Sequence, residues 1–495
     1  MDSTRRRVLR GVSVGAALGV LGVPSTAHET DRVFVHPVDE TVSAVVDAVE
    51  TVDGTTVLEY DNFPFVVAEV PTEDRAALTD DVRVALVEDD DVAEIPSGWS
   101  PSIPDVLDPG GGDTDCDAHP EQTPSWGWER IGADGLSVEA SDVDVGVLDT
   151  GIESDHCDLA VAGGRNFTDS GSPGDYEDRH GHGTHVAGIA SALENDVGVV
   201  GVAPDANLHA VKVLGDDGAG RYSWIVAGID WCLSNEIELI SMSLGGESES
   251  ATLDQAIEDA YEAGHLLLCS AGNEGNDGDG SCDEETMTYP ATHDDVIAVS
   301  AMDEDDSLAS YSSVGSDVEV LAPGTDIDST YVDNEYRQSS GTSMACPFVT
   351  GVAALVWAEH ERGGPGPNEE VRESLRETAE TVLETCEEGY GLVDAAAAVD
   401  GDRAENGDDG EGNGDDDPEN GDDEDDDGEN GEDDDGSTRD DDDESEGDRT
   451  GSDPDRRNDS RSGDAADGFV HRAERWVSTV VDWITSVIDA VRRSG

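Results

Sequence analysis

The sequence predicts a doubly wound α/β domain with a mostly parallel sheet over residues 121–400, set between a smaller α/β unit and an acidic tail that lacks a core. Two observations point there. Five short runs, at 143–148, 208–214, 239–243, 266–270 and 296–299, are apolar along their length, as strands covered on both faces are. Between them, residues 184–193, 221–233, 251–263 and 342–359 carry apolar side chains at helical spacing. Strands alternating with helices build βαβ units, which wind into a parallel sheet with helices on both faces. At 495 residues the chain has room for one large domain and smaller pieces.

Residues 1–27 read as an export signal. Thr4-Arg5-Arg6-Arg7-Val8-Leu9-Arg10 precedes an apolar run at 11–23, and Ser25-Thr26-Ala27 supplies the small residues that a signal peptidase reads. The run is too short, and too rich in Gly and Ala, to span a membrane. A Sec signal with extra charge fits. So does a twin-arginine signal, which is the expectation because the Leu and the second basic residue fall where that motif has them. Cleavage is expected after Ala27, with the product outside the cell.

Residues 31–97 form a small α/β unit, with strands at 33–35 and 65–68 and helical spacing at 42–49 and 72–79. A Pro-, Gly- and Asp-rich linker follows at 98–120 and suits proteolytic nicking. Beyond the main domain, 401–467 holds Asp, Gly and Glu with almost no large apolar residue, so it cannot bury a core and is expected to be disordered. Asp423, Asp425, Asp427 and Gly428 mimic the start of an EF-hand loop, a match that so acidic a tract produces by chance. Residues 468–495 change again: Phe469, Ala473, Trp476, Val477, Val480, Ile484 and Val487 recur at helical spacing. This amphipathic helix can dock on protein or lie on a membrane surface, and its lack of marked basic charge favours protein.

The formal net charge is −92, from 118 acidic against 26 basic residues, and Lys212 is the only lysine. About thirty of those acids lie in 401–467, so the folded part is strongly acidic too. Such a surface repels itself in dilute buffer, and the repulsion collapses at molar salt, where the screening length is about 3 Å. Adaptation to concentrated salt is the expectation. Nucleic acid is excluded as a partner by the sign of the charge. Cysteines stand at 116, 157, 232, 269, 282, 346 and 386; none has zinc-site spacing, and their pairing is not legible. Cys346 reads as a small buried filler.

Four motifs carry chemistry. Val147-Leu148-Asp149-Thr150-Gly151 ends an apolar strand with a carboxylate. His182-Gly183-Thr184-His185-Val186-Ala187-Gly188 opens a helix with imidazole, and His180 stands just before it. Ser270-Ala271-Gly272-Asn273-Glu274-Gly275 offers a side-chain amide, and Gly341-Thr342-Ser343-Met344-Ala345 sets a serine at a helix start. Acyl transfer by a hydroxyl needs a nucleophile, a base, a carboxylate that orients the base, and an oxyanion donor, and all four are present. A helix N-terminus favours the negative charge that develops on Ser343. Asp149 also reads as a turn residue or a ribose-binding acid, but no Gly-x-Gly-x-x-Gly precedes it. The three histidines also read as metal ligands, though the Gly and Thr between them fit a helix start better.

These motifs, with His209-Ala210-Val211-Lys212-Val213-Leu214-Gly215 and Tyr222-Ser223-Trp224-Ile225-Val226-Ala227-Gly228, resemble the subtilisin family of serine endopeptidases, and with the acidic composition its halophilic, halolysin-like members. The resemblance spans almost all of 121–400. It implies a Ser343 nucleophile, a His182 base, an Asp149 partner and an Asn273 oxyanion donor, with His185 structural. It implies that Ser243, Leu244 and Gly245 pair with extended peptide substrate and that Gly272 walls the pocket for the residue before the cut bond. Thr288 stands where the family tends to have glycine at that pocket's floor, and the expected preference is for medium apolar or aromatic residues. The resemblance further implies a structural calcium held by Gln122, Asp158, Asn195 and the carbonyls of Leu193, Val197 and Val199. Residues 28–97 then correspond to an inhibitory propeptide, and processing is expected within 97–121, close to Glu121. The competing reading is an inactive scaffold serving as a cell-surface binding module.

Overall fold

The computed structural model describes residues 29–102, 122–275, 285–360, 366–383 and 385–406. The export signal, Glu121, Cys116, Cys282, the acidic tract beyond 406 and the helix at 468–495 lie outside the described residues.

The N-terminal unit contains β1 (Thr30–Pro37), α1 (Val42–Thr51), β2 (Thr55–Glu59), β3 (Val66–Pro71), α2 (Arg75–Thr79) and β4 (Val84–Asp89). Its sheet has the order β2-β3-β1-β4 with antiparallel pairing throughout. One face of the sheet packs on α1 through Val33, Val35, Val45, Val49 and Val66. The other presents Phe34, Phe65 and Val67 to the main domain. This alternation is what period-2 patterning produces. The helical spacing at 72–79 matures only into the short α2.

The main domain follows with β5 (Val92–Glu94), α3 (Trp126–Arg130), β6 (Asp144–Asp149), β7 (Val161–Asn166), α4 (His182–Ser191), β8 (Asn207–Lys212), β9 (Ala219–Arg221), α5 (Tyr222–Ser234), β10 (Leu239–Met242), α6 (Ala251–Glu262), β11 (Leu266–Ser270) and β12 (Val296–Met302). It closes with β13 (Val320–Pro323), β14 (Ile327–Tyr331), β15 (Glu335–Ser339), α7 (Thr342–Glu359), α8 (Asn368–Glu377), α9 (Thr385–Glu388) and α10 (Ala395–Asn406). Seven strands form one parallel sheet in the order β13-β12-β11-β10-β6-β8-β7. Val145 and Val147 of β6 pack toward α4 and α7, while Leu148 joins the layer that holds α5 and α6. The expected doubly wound architecture is therefore present, and all five apolar runs are strands of its sheet.

In the main domain, sequence patterning missed β7, β13 and the β14–β15 hairpin, along with the three-residue β5 and β9. β7 reads Val-Ala-Gly-Gly-Arg-Asn because it is an edge strand with partial exposure, pressed so close to β8 that a Cβ on Gly164 would lie 2.3 Å from the Ala210 carbonyl. Cys157 and Cys386 are disulfide-bonded. Cys232, Cys269 and Cys346 are free and buried.

Candidate active site

β6 delivers Asp149 to the carboxyl end of the sheet, the customary place for a site in a parallel α/β fold. α4 begins at His182, whose Nδ1 lies 2.8 and 2.9 Å from the two Asp149 carboxylate oxygens, with both side chains fully buried. Nδ1–H donates there, so in the neutral ring Nε2 is the nitrogen with the free lone pair. The helix comes so near that a Cβ on Gly183 would fall 2.1 Å from the Gly151 carbonyl.

A buried carboxylate, Asp178, fastens the two segments together. It accepts from Thr150 Oγ1 at 2.9 Å, His180 N at 2.9 Å, Gly181 N at 3.0 Å, Thr184 N at 3.0 Å and Thr184 Oγ1 at 2.8 Å. Thr150 Oγ1 in turn accepts from Gly183 N at 3.0 Å. Free N–H groups at the start of α4 thus meet negative charge, as helix N-termini favour. The single lysine, Lys212, is fully buried; its ammonium donates to the Thr150 carbonyl and to Asp216 at 3.0 Å.

Ser343 is the second residue of α7 and is 2 % exposed. Its Oγ and His182 Nε2 are both buried without a hydrogen-bond partner, two orphaned polar atoms of the kind that mark functional sites. Pro347 lies inside α7 and has no N–H for the Ser343 carbonyl. Ser243 Oγ donates to that carbonyl instead, at 3.0 Å. The Ser243 side chain therefore braces the nucleophile's backbone, and the Leu244 side chain is buried in the core. The Asn273 amide is oriented by Thr342, whose backbone N–H and Oγ1 donate to Asn273 Oδ1 at 2.9 and 2.8 Å. That leaves Nδ2 facing the cleft.

The chain's own residues 92–102 run through this cleft. β5 pairs antiparallel with β9, and Glu94 exchanges hydrogen bonds of 2.8 and 2.9 Å with Gly245. Ile95 N donates to the Gly218 carbonyl at 3.0 Å. The Ser97 carbonyl accepts from Asn273 Nδ2 at 2.9 Å. Trp99 sets its ring 4.6 Å from His182, and Ser102 exchanges two 2.8 Å hydrogen bonds with Gln338 of β15. Behind Ser97, Thr288 fills the space between the walls: its Oγ1 is 2.3 Å from where a Cβ on Gly245 would stand and 2.9 Å from one on Gly272.

The N-terminal unit is held against α5 and α6 by two carboxylates at their N-termini. Asp90 accepts from Ser223 N and Oγ of α5 at 2.8 and 2.7 Å, and Glu88 accepts from Ala251 N and Thr252 N of α6 at 2.8 and 2.9 Å.

The six residues expected to hold calcium converge at one place. The Gln122 amide nitrogen meets the carbonyls of Leu193, Val197 and Val199 at 2.7, 3.3 and 2.7 Å, and Asn195 lies 2.9 Å from Asp158. A half-turn of the Gln122 amide would present its oxygen to the same point. Asp158 is fully buried, and desolvation pushes its carboxyl up to about 7. Asp158 also accepts from Val199 N and Tyr336 Oη at 3.0 and 3.2 Å, and a buried carboxylate among carbonyl and amide oxygens is a donor set that fits a calcium ion. Among the described residues, no group of three or more His, Cys, Asp or Glu side chains is placed to hold a metal. His185 is fully buried, its Nε2 lies 2.9 Å from the Arg337 carbonyl, and burial pushes its pKa down to about 3.

Sequence reading missed Ser97, Trp99 and Asp178. A carboxylate four residues before His182 and a Ser-Gly-Trp sequence carry no signal until the fold sets them against the triad. Thr342 stood inside a quoted motif, but its hold on Asn273 emerges only from the packing.

Comparison with known proteins gives the family. The model of the subtilase family of peptidases, Peptidase S8, matches residues 140–432. Subtilisin DY of Bacillus licheniformis is 43% identical over 280 residues, covering 56% of this chain and 99% of its own length. Subtilisin NAT of Bacillus subtilis subsp. natto is 39% identical over 342 residues, covering 68% of this chain and 81% of its own. A thermostable alkaline protease of Halalkalibacterium halodurans is 36% identical over 385 residues, covering 77% of this chain and 96% of its own. The chain belongs to the subtilase family and is a subtilisin-type serine endopeptidase.

Proposed function

We propose that this protein is an exported, salt-adapted endopeptidase that cleaves its own precursor between Ser97 and Gly98. The observation that carries this reading is the Ser97 carbonyl, 2.9 Å from Asn273 Nδ2 with Glu94 paired to Gly245, in the manner of an extended substrate. The sequence expectation put processing within 97–121, close to Glu121; the hydrogen bond between the Ser97 carbonyl and Asn273 Nδ2 favours the Ser97–Gly98 bond, at the start of that range.

In the proposed reaction Ser343 Oγ attacks the Ser97 carbonyl carbon while His182 Nε2 takes the hydroxyl proton. Asp149 holds the ring and stabilises the imidazolium. The oxyanion receives hydrogen bonds from Asn273 Nδ2 and Ser343 N–H. Collapse expels the Gly98 amine, which takes its proton from His182, and water then repeats the sequence on the acyl-enzyme. The displaced N-terminal unit remains an inhibitor, anchored by Asp90 and Glu88 on α5 and α6. Ser243 and Leu244 contribute through position rather than side-chain contact with substrate; Gly245 and Gly272 form the walls of the cleft. Thr288 shortens the pocket, which revises the expected preference from medium apolar or aromatic residues to small ones such as Ser97. Calcium, when bound by Gln122, Asp158, Leu193, Asn195, Val197 and Val199, would supply charge balance for Asp158 and tie the segment before α3 to the 193–199 loop. The net charge of −92 supports working in concentrated salt.

The test is expression at multimolar KCl with a casein assay and N-terminal sequencing. The parent is expected to hydrolyse casein and to show a new terminus at Gly98, while Ser343→Ala accumulates the precursor and hydrolyses nothing. Hydrolysis by Ser343→Ala would refute the triad, and a parent that hydrolyses nothing would favour the inactive-scaffold reading. A first new terminus at 121–122 would refute the Ser97–Gly98 bond.

A further inference from the structure

His180 belongs to the crowded histidine cluster but takes no part in the reaction just described. It faces the chain beyond the Ser97–Gly98 bond. The Trp99 ring stacks on His180 with centroids 6.3 Å apart and planes 28° apart, and it meets His182 and His185 edge-on at 4.6 and 5.5 Å. The walls of this recess are fixed from behind. The His180 backbone N–H is held by Asp178 and its carbonyl by Tyr331 Oη at 3.1 Å. The His185 ring is held by the Arg337 carbonyl at 2.9 Å. Burial lowers the pKa of both histidines, so both present neutral aromatic rings. Three residues beyond Trp99, Ser102 adds to the edge of β15 through two backbone hydrogen bonds with Gln338, and these carry no side-chain preference. Trp99 is the only large side chain between Gly98 and Ser102.

We propose that His180 and His185 form an aromatic-selective subsite for the second residue after the cleaved bond, and that β15 captures the peptide beyond it by strand addition. This rests on the endopeptidase reading and on the Ser97–Gly98 register. The ligand class is an extended peptide with Trp, Phe or Tyr at that position. Stacking and edge-on aromatic contacts discriminate by shape and quadrupole, and a pre-fixed recess gives that discrimination at little entropic cost. A bulky ring over His182 also keeps water from the base while the leaving amine departs.

The experiment uses the self-processed full chain at multimolar KCl and peptides that copy residues 91–102. One peptide keeps the Trp of position 99; the others carry Phe or Ala there, and a fourth moves the Trp one residue toward the carboxyl end. The Trp and Phe peptides are expected to have kcat/KM roughly tenfold above the Ala and shifted-Trp peptides, on the scale of such ring contacts. His180→Ala is expected to shrink the Trp-to-Ala ratio to roughly threefold or less, a change of selectivity that a loss of folded enzyme would not produce, since it lowers both rates equally. In the precursor itself, Trp99→Ala is expected to slow the first-order cleavage of the Ser97–Gly98 bond by a similar factor. Equal kcat/KM for the Trp and Ala peptides, both cut after Ser, overturns the subsite alone. Failure to cut any of them, or cutting elsewhere by mass spectrometry, overturns the underlying reading and the subsite with it.

Discussion

Asp178→Ala is expected to damage this protein more than any other substitution outside the reacting groups. The carboxylate is 6 % exposed and accepts five hydrogen bonds, three from backbone N–H groups and two from the hydroxyls of Thr150 and Thr184. Removing it leaves those donors facing one another where water does not reach. A buried donor without an acceptor costs about 1–3 kcal/mol, and the loss of one charged partner from a buried network costs about 3–5 kcal/mol as a unit. The two hydroxyls can turn away, so we take about 4 kcal/mol, which corresponds to a fall in melting temperature on the order of 10 °C for a domain of this size. Asp178→Asn rescues little. Its one oxygen serves either the Thr150, His180 and Gly181 donors or the two Thr184 donors, and its NH2 group opposes the remainder. The activity loss is expected to exceed the stability loss, because Asp178 links the strand of Asp149 to the helix of His182; a displacement of about 1 Å there costs about 10²-fold in turnover. Melting is measured in a Ser343→Ala background at multimolar KCl, which prevents self-digestion, and kcat and KM are measured in the active enzyme. Asp175→Ala is the control, because the Asp175–Arg179 pair at 2.8 Å is solvent-exposed and is worth under about 0.5 kcal/mol. If Asp178→Ala melted within 2 °C of Asp175→Ala and kept full kcat, the fastening role argued from these distances would be wrong.

Three further expectations follow from the same contacts. His36 sits at the interface between the N-terminal unit and the main domain, with Nε2 2.7 Å from Thr252 Oγ1 and its ring 4.6 Å from Phe65, and burial lowers its pKa from 6.5 to about 4 although Glu88 pulls the other way. A base with a depressed pKa contributes its stability above its ordinary value and loses it as pH falls toward the folded one. The Ser343→Ala precursor should therefore lose melting temperature between pH 6.5 and 4, and His36→Gln should flatten that slope; parallel slopes would dismiss the idea. Thr288→Gly should open the pocket and raise kcat/KM for Leu or Phe before the cut bond by about tenfold or more relative to Ser, as one fitted methylene is worth about 1–3 kcal/mol, and an unchanged ranking of peptides would contradict it. EDTA should speed thermal inactivation, and Asp158→Asn should make that rate insensitive to EDTA; an unresponsive parent enzyme would end the calcium assignment.

The apolar runs made the sheet legible because strands buried on both faces leave no polar positions to blur the pattern. The edge strand β7 and the β14–β15 hairpin escaped for the opposite reason, since partial exposure and glycines erase a period-2 signal. Asp149, His182, Asn273 and Ser343 were legible because each stands in a glycine-rich stretch that close backbone approach demands, as Gly183 shows against the Gly151 carbonyl. Asp178 was not, because its role depends on joining Thr150, 28 residues earlier, to donors at the start of the helix that carries His182.

By itself, then, the sequence determined the fold class and the chemical groups, since hydrophobic period and residue type are local properties. Tertiary structure decided how the site is used. The Ser97 carbonyl meets the Asn273 amide, Thr288 stands between Gly245 and Gly272, and Trp99 rests on the histidines. Each of these is a meeting of residues tens to hundreds of positions apart, and no local pattern encodes a distance that only the closed fold creates.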